Sequence, residues 1–382
     1  MRIGINEVLI YNRSSGARQR EINVLPQVLR QIEASGGESV VYVARDLEDG
    51  LVHQLTGNAH NVTVVRTPLP SIPTYQRILK GIPYWRRRVV RDRLDIFHTT
   101  YYPIPQLPVP IVLIVNDVRF VHLPDTYPRL RCLFLRLVVP SSLRRATRII
   151  SISQDTKEDL IRFFGVTGDK IDVVHIVADP RFRPVADMSG LAQVRRRYGL
   201  PERLILYVGH LEPRKNLDRL VQAFVQLRDQ DVINHHLVIL GKPSFGFESM
   251  LDQVKRSDLT FQVVFTGYVE DEDMPAVYTL ADVLAFPSLH EGFGIPVLEA
   301  MACGVPVITS NVSALPEIAG DAAILVDPYD VESIAGGIAL VLSDENVRRQ
   351  LIEKGLERVK RFSAEKSAAA IVETYKKTLN LE

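Results

Sequence analysis

Cysteine is nearly absent from this chain: Cys132 and Cys303 are the only two in 382 residues. They are far apart and each sits in an apolar helical pattern, which predicts reduced core residues and excludes a disulfide framework or a thiolate zinc site. Long hydrophobic runs are also missing, with no stretch of the ~20 apolar residues that a transmembrane helix requires. The opening Met1-Arg2-Ile3-Gly4-Ile5-Asn6 reads as a short strand rather than a signal peptide, so a cytoplasmic chain is expected. Internal repeats, low-complexity stretches, nucleophile elbows, Walker loops and zinc spacings are lacking, which removes the common motif-borne hydrolase, P-loop and metalloenzyme chemistries.

Net charge is low as well, at +1, but the balance conceals an asymmetry. Residues 1–180 hold 24 basic and 17 acidic residues, and the remainder 22 and 28. Much of the basic excess lies in Arg77 to Arg93 and Arg129 to Arg148, mixed with Leu, Val, Ile, Tyr and Trp85. Such segments are either solvated helix faces beside a core stripe or attractants for an anionic membrane surface or acceptor. No nucleic-acid-binding motif accompanies the charge, so nucleic acid is not expected as a partner.

With 46% hydrophobic residues the chain can build more than one core. Ile3 to Tyr11 reads as a strand, Asn12 to Gly16 as its loop, and Ala17 to Glu33 as a helix with Ile22, Leu25, Val28, Leu29 and Ile32 on one face. Apolar runs at 40–43, 62–65, 94–97, 111–115, 149–152 and 171–177 continue the alternation. After a linker at Asp179 to Pro184 a second series begins at 204–209, 237–241, 263–267, 283–286, 305–308 and 323–326. Strands alternating with helices predict parallel sheets covered on both faces, binding ligands at the carboxyl ends of the strands. The expected architecture is α/β, with two similar domains and a cleft between them. The helical tail, Phe362 to Leu379, packs on one of them.

The chain is organised around Ser288 to Gly304. An apolar strand ends at Pro287, a loop with Gly292 and Gly294 follows, and Pro296 stands in the first turn of a helix. The unpartnered first amides of that helix, at the positive end of its dipole, suit a phosphate. Glu291 and Glu299 flank this place, positioned for hydroxyls on either side of it. Gly209 to Asn216 brings Arg214 and Lys215 to the start of another helix; a lone Arg-Lys pair reads as a solvated basic loop, but Gly209, Pro213 and the matching loop at Glu291 to Ile295 make them candidates to neutralise a diphosphate. Gly241-Lys242 and Gly267-Tyr268-Val269 end strands and are candidates to line a flat base pocket with backbone groups. Asp271-Glu272-Asp273 precedes Met274 as a helix start, and no metal is expected. In the first half, His98 and Asp117 end strands as candidates on the acceptor side; each is also readable as structural, Asp117 as a loop cap. His235-His236 is read as surface.

Glu291 and Glu299 with seven residues between them, Pro287-Ser288 before, Ala300 to Ile308 after and Asn311 to Glu317 together resemble glycosyltransferase family 4. The likeness is strongest over Tyr207 to Asp330, and Glu212-Pro213-Arg214-Lys215-Asn216 is similar to bacterial hexosyl- and mannosyltransferases of polysaccharide assembly. The resemblance implies the GT-B fold of two Rossmann-like domains: an acceptor domain over residues 1–182, a nucleotide-sugar domain over 183–362, and a last helix at 363–382 crossing back. It implies retaining, metal-independent transfer, without a cofactor, of glucose- or mannose-type hexose from a UDP- or GDP-sugar to a saccharide or lipid-linked saccharide. By position, Glu291 would hold sugar hydroxyls, Glu299 the ribose, Lys215 the diphosphate, the amides of Phe293, Gly294 and Ile295 the sugar or phosphate, and Gly16 the diphosphate from the other domain.

Two positions depart from the pattern. His210 replaces the usual Arg, so Arg214 is expected to carry part of that charge, and Asn116-Asp117 stands where relatives have His-Asp. These departures leave two alternatives beside the transferase: a nucleotide-sugar epimerase, or a catalytically silent nucleotide-sugar-binding subunit.

Overall fold

The structure, a computed structural model, describes residues 1–10, 16–70, 74–100, 103–242 and 262–380, and the side chains of all these except 16–17 and 74–79. The chain forms two compact units, Met1–Val177 with Phe362–Glu382, and Ala178–Arg361.

In the first unit, strands β1 (Arg2–Glu7), β2 (Glu38–Val43), β3 (Val62–Arg66), β4 (Ile96–Thr99), β5 (Ile111–Val115), β6 (Arg148–Ser151) and β7 (Ile171–Val173) form one parallel sheet. Its order is β3-β2-β1-β4-β5-β6-β7. The β-branched run Ile111–Val115 is buried along its whole length, as a central strand covered on both faces requires. Helices α1 (Gly16–Ala34), α2 (Asp49–Thr56), α3 (Thr74–Arg91), α4 (Arg119–His122), α5 (Arg129–Arg145) and α6 (Gln154–Phe164) lie between the strands. Trp85 of α3 packs edge-on to Tyr42, with ring centroids 5.1 Å apart, and 5.0 Å from Phe97. Ser153 caps α6 by accepting from the Thr156 amide, and Gly165 ends it in the left-handed region.

In the second unit α7 (Met188–Tyr198) precedes β8 (Leu204–Val208), α8 (Leu217–Asp229), β9 (His236–Leu240), β10 (Val263–Gly267), α9 (Met274–Thr279) and β11 (Val283–Phe286). Then follow α10 (Ile295–Ala302), β12 (Val307–Ser310), α11 (Leu315–Ala319), β13 (Ile324–Val326), α12 (Val331–Ser343) and α13 (Glu345–Val359). The parallel sheet runs β10-β9-β8-β11-β12-β13.

The last helix, α14 (Ala364–Thr378), belongs to the first unit. Ser367 donates to the His175 carbonyl at 2.8 Å, Thr374 to Asp172 at 3.1 Å, and Gln31 of α1 to the Glu365 carbonyl at 3.2 Å. Cys132 and Cys303 are both free and buried.

Each sheet reverses its strand order once, between β1 and β4 in the first and between β8 and β11 in the second. At such a switch point the two adjacent loops leave toward opposite faces and open a crevice at the strand ends. The Gly209 to Asn216 loop follows β8, and the Pro287 to Gly294 loop follows β11. The two stretches singled out in the sequence therefore flank one switch point.

Candidate active site

After β8 the chain turns through Gly209, and Pro213–Lys215 forms one 3-10 turn that delivers two adjacent cations. Asn216 ends it with φ +61° and donates to the carbonyls of Pro287 and Pro328, at 2.9 and 2.6 Å. One side-chain amide thus ties together three loops, and those bonds offset the cost of a left-handed residue other than glycine. Beyond β9, Gly241 has φ +153°, and a Cβ there would lie 1.8 Å from the Gly209 carbonyl oxygen. That packing admits only glycine.

The centre of the site is ionic. Lys215 Nζ meets Glu291 Oε1 at 2.5 Å, and Arg214 reaches the same oxygen at 2.8 Å. Arg214 also binds Glu212 at 2.6 Å and donates to the His290 carbonyl at 3.2 Å. It therefore bridges two carboxylates and holds Glu291 in place. Lys215 lies over the Phe286 ring, 4.5 Å from its centroid. The Glu291 amide donates to Ser313 Oγ at 3.0 Å.

Burial by itself would push the Glu291 carboxyl up, but Arg214 and Lys215 outweigh it and bring the group down to about 2. For Lys215 burial wins: the ammonium is lowered to about 8, although Glu291 pulls the other way. The site thus holds a carboxylate that stays ionised and an ammonium that a phosphate would re-stabilise. His210 is lowered too, by burial first and then by Lys215, Arg214 and Lys242 against Glu212. It adds no cation near neutral pH.

Glu299 lies in the second turn of α10. Tyr278 donates to its Oε2 at 2.7 Å. Burial first, then Asp179 and Asp271, raise this carboxyl to about 7 against the opposing Tyr278 bond and Arg181. The two carboxylates thus have opposite electrostatics. Gly294, φ +110°, caps α10, and a Cβ there would come within 2.7 Å of Leu315 Cδ2. The backbones of Phe293, Gly294 and Ile295 enter the helix start; the Phe293 side chain is buried in the core. Tyr268 is exposed at the end of β10 with Lys242 Nζ 4.4 Å from its ring centroid, whereas the Val269 side chain is buried.

Among the acidic triplet, Asp273 accepts from Arg197 and from the Tyr198 hydroxyl, each at 2.7 Å. His235 is half-buried, with Asp282 at 3.6 Å across the sheet, a partner invisible in the sequence.

In the first unit the ends of β1, β4 and β5 carry a second polar cluster. Arg20 of α1 is buried, pairs with Glu21, and donates to Asn116 Oδ1 and to Thr100 Oγ1 at 3.3 Å. Glu7 is held well above the ordinary carboxyl range by burial first and then by Glu21. Asp117 Oδ1 accepts from the Arg119 amide at 3.1 Å, the geometry of a loop cap. His98 is enclosed, with Nδ1 bonded to the Tyr375 hydroxyl of α14, and burial lowers it to about 3. Gly16 opens α1; the loop before it and its own contacts lie outside the described residues.

Reading the sequence missed Glu212, Asn216 and Ser313 as members of the site, and the Arg20–Glu21 pair. Only the neighbouring motif pointed to the first two. Ser313 lies within the Asn311 to Glu317 motif, but the bond its hydroxyl accepts from the Glu291 amide has no signal of its own in the sequence.

The family described as Glycosyl transferases group 1 matches residues 193–358, and Glycosyltransferase Family 4 matches residues 23–182. The O-antigen chain mannosyltransferase B of Escherichia coli is 31% identical over 311 residues, which are 81% of this chain and 81% of that protein. The serotype-specific mannosyltransferase WbdA of Escherichia coli is 28% identical over 74% of this chain, which spans only 35% of that longer protein. Among solved structures, Anabaena HepE in complex with UDP and glucose aligns with a TM-score of 0.76 over 99% of this chain and all of that one, at 18% identity, a likeness of fold. The chain belongs to glycosyltransferase family 4, among the group 1 glycosyltransferases of GT-B fold.

Proposed function

We propose that this glycosyltransferase moves a hexose, mannose in the first instance, from a nucleoside diphosphate sugar to a saccharide or lipid-linked saccharide during polysaccharide assembly, with retention of anomeric configuration and without a metal. The observation that carries the reading is the convergence of Lys215 and Arg214 on Glu291, 2.5 and 2.8 Å away, beside the first amides of α10. The mannosyltransferase names of the relatives support the choice of sugar, and the UDP complexes of HepE support a nucleotide-sugar donor.

As the bond from the sugar C1 to the diphosphate oxygen breaks, negative charge builds on the leaving phosphate. Lys215 and the α10 amides stabilise that charge more in the transition state than in the ground state. The acceptor oxygen then bonds to C1 on the face the phosphate leaves, and its proton passes to the departing phosphate oxygen, so no protein nucleophile is needed. Glu291 Oε1 carries the two cations, and Oε2 is the oxygen we assign to sugar hydroxyls. Glu299 we assign to the ribose hydroxyls, the strand ends at Gly209, Tyr268 and Val269 to the base and its sugar, and the first unit, with Asp117, to the acceptor. The enzyme works in the cytoplasm, peripherally at the inner membrane face.

The test is a screen of UDP- and GDP-hexoses for thermal stabilisation, followed by transfer to a saccharide panel with the anomer assigned by NMR. Glu291→Ala and Lys215→Ala should abolish transfer. Wild-type turnover in both, or an inverted anomer, defeats the proposal.

A further inference from the structure

Helix α5 is apolar on two sides. Its inner side buries Cys132, Val139 and Leu143, the last two in a cluster with Leu113, Val115 and Phe120. Its outer side exposes Leu130 (83%), Leu133 (56%), Phe134 (37%) and Leu137 (68%). These four stand at i, i+3, i+4 and i+7 and form one stripe, where a helix lying on a sheet ordinarily presents charge and polar groups. Arg129, Arg131 and Arg136 are exposed beside the stripe, and the helix contains no Asp or Glu. Helix α3 crosses from β3 to β4 in the same direction as α5 crosses from β5 to β6, so right-handed crossovers place both on one face of the sheet. It exposes Ile82 and Val90 among Arg86, Arg87 and Arg91, and it too lacks Asp and Glu. No helix among the described residues is long and apolar enough to cross a membrane.

We infer that the outer stripe of α5, flanked by α3, is a docking face for an anionic bilayer: the leucines and Phe134 enter the boundary between headgroups and acyl chains while the arginines meet lipid phosphates. The inference rests on the peripheral-membrane reading of the enzyme and assigns it to specific residues. Charge decides the occupant. A second copy laid stripe against stripe would bring arginines against arginines with no carboxylate on either helix to pair them. A bilayer rich in anionic lipid supplies both an apolar layer and, at its edge, the opposite charge, and an interfacial helix with basic flanks fits that boundary.

The test uses the full chain and sedimentation with vesicles of phosphatidylcholine, with and without phosphatidylglycerol. Wild-type protein should partition onto the phosphatidylglycerol vesicles and much less onto phosphatidylcholine alone. Leu130→Asp/Leu137→Asp should lower that partition by about a hundredfold or more, since each leucine withdrawn forfeits about tenfold. Arg129→Ser/Arg136→Ser should weaken it about fivefold per arginine and reduce its salt dependence. Both variants should keep the wild-type melting temperature and the stabilisation by nucleotide. The inference is overturned if wild-type protein ignores anionic vesicles, if the leucine variant binds them as wild type does, or if sedimentation velocity finds a dimer that the leucine variant dissociates while no vesicles bind. Nucleotide stabilisation on the same samples separates the two readings. A chain that binds donor but no vesicles loses only the docking face, and one that binds vesicles but no donor loses the proposed reaction.

Discussion

Replacing Glu291 by Gln removes one charge from a buried cluster while keeping its volume. In the folded chain this carboxyl lies at about 2, against an ordinary 4.5. A depressed carboxyl stabilises the fold at pH values above its unfolded pKa, and that contribution is lost as pH falls from about 4.5 to about 2. The shift corresponds to about 3 kcal/mol at pH 7, and removing one member of a buried pair costs ~3–5 kcal/mol by the general rule. Lys215 behaves oppositely: its lowered ammonium makes stability rise as pH climbs from about 8 to 10.5. Its burial cost is comparable to the gain at Glu291, so the intact pair adds little net stability, and the loss appears when one partner is removed. Arg214 retains Glu212 in the variant; Lys215 loses its carboxylate.

Calorimetry should therefore find the transition of the second unit lowered by roughly 6–12 °C in Glu291→Gln at pH 7, taking 2–4 °C per kcal/mol for a unit of this size. The gap should close as pH falls from about 4.5 towards 2. Nucleoside diphosphate binding should weaken at a lower pH in the variant than in the wild type, because Lys215 without Glu291 sheds its proton earlier, whereas the wild-type ammonium lies at about 8. Equal melting temperatures at pH 7, or a gap that widens in acid, would refute the reasoning.

Glu299, at about 7, should make nucleoside diphosphate affinity rise with pH through that value, since in the proposed role its ionised form would accept from two ribose hydroxyls; titration calorimetry should find the slope absent in Glu299→Gln. Gly294→Ala, at φ +110° and against Leu315, should destabilise the second unit by ~1–3 kcal/mol and abolish donor binding. By contrast, Gly336→Ala, in open space on α12, should raise the melting temperature slightly without touching binding. Tyr375→Phe leaves His98 Nδ1 unpaired in the interior and should cost ~1–3 kcal/mol in the first unit's unfolding, with nucleotide stabilisation unchanged.

The apolar runs located the strands of both sheets to within a few residues: the central strands, buried on both faces, are continuously apolar, and the half-exposed β3, β10 and β13 still carry short runs of Val, Ile, Leu or Phe. That the Glu291 to Glu299 loop and the cations at 214 and 215 belong together was also legible, from glycine, proline and charge at short spacing before two helix starts, and the structure joins them through Glu291. Partners that meet only across loops were not. Arg214, expected to carry part of the charge of the arginine missing at position 210, lies between Glu212 and Glu291, and the pairing with Glu291 is one that only the tertiary structure supplies.

The sequence by itself thus determined the α/β class, the two strand series and the glycine loop between Glu291 and Glu299, all properties of local pattern. Tertiary structure alone decided the different states of Glu291 and Glu299, the enclosure of His98 beneath Tyr375, and the exposure of a second apolar stripe on α5. Each depends on burial and on neighbours distant in the chain, and a carboxylate's proton affinity or a leucine's environment is set by what surrounds it.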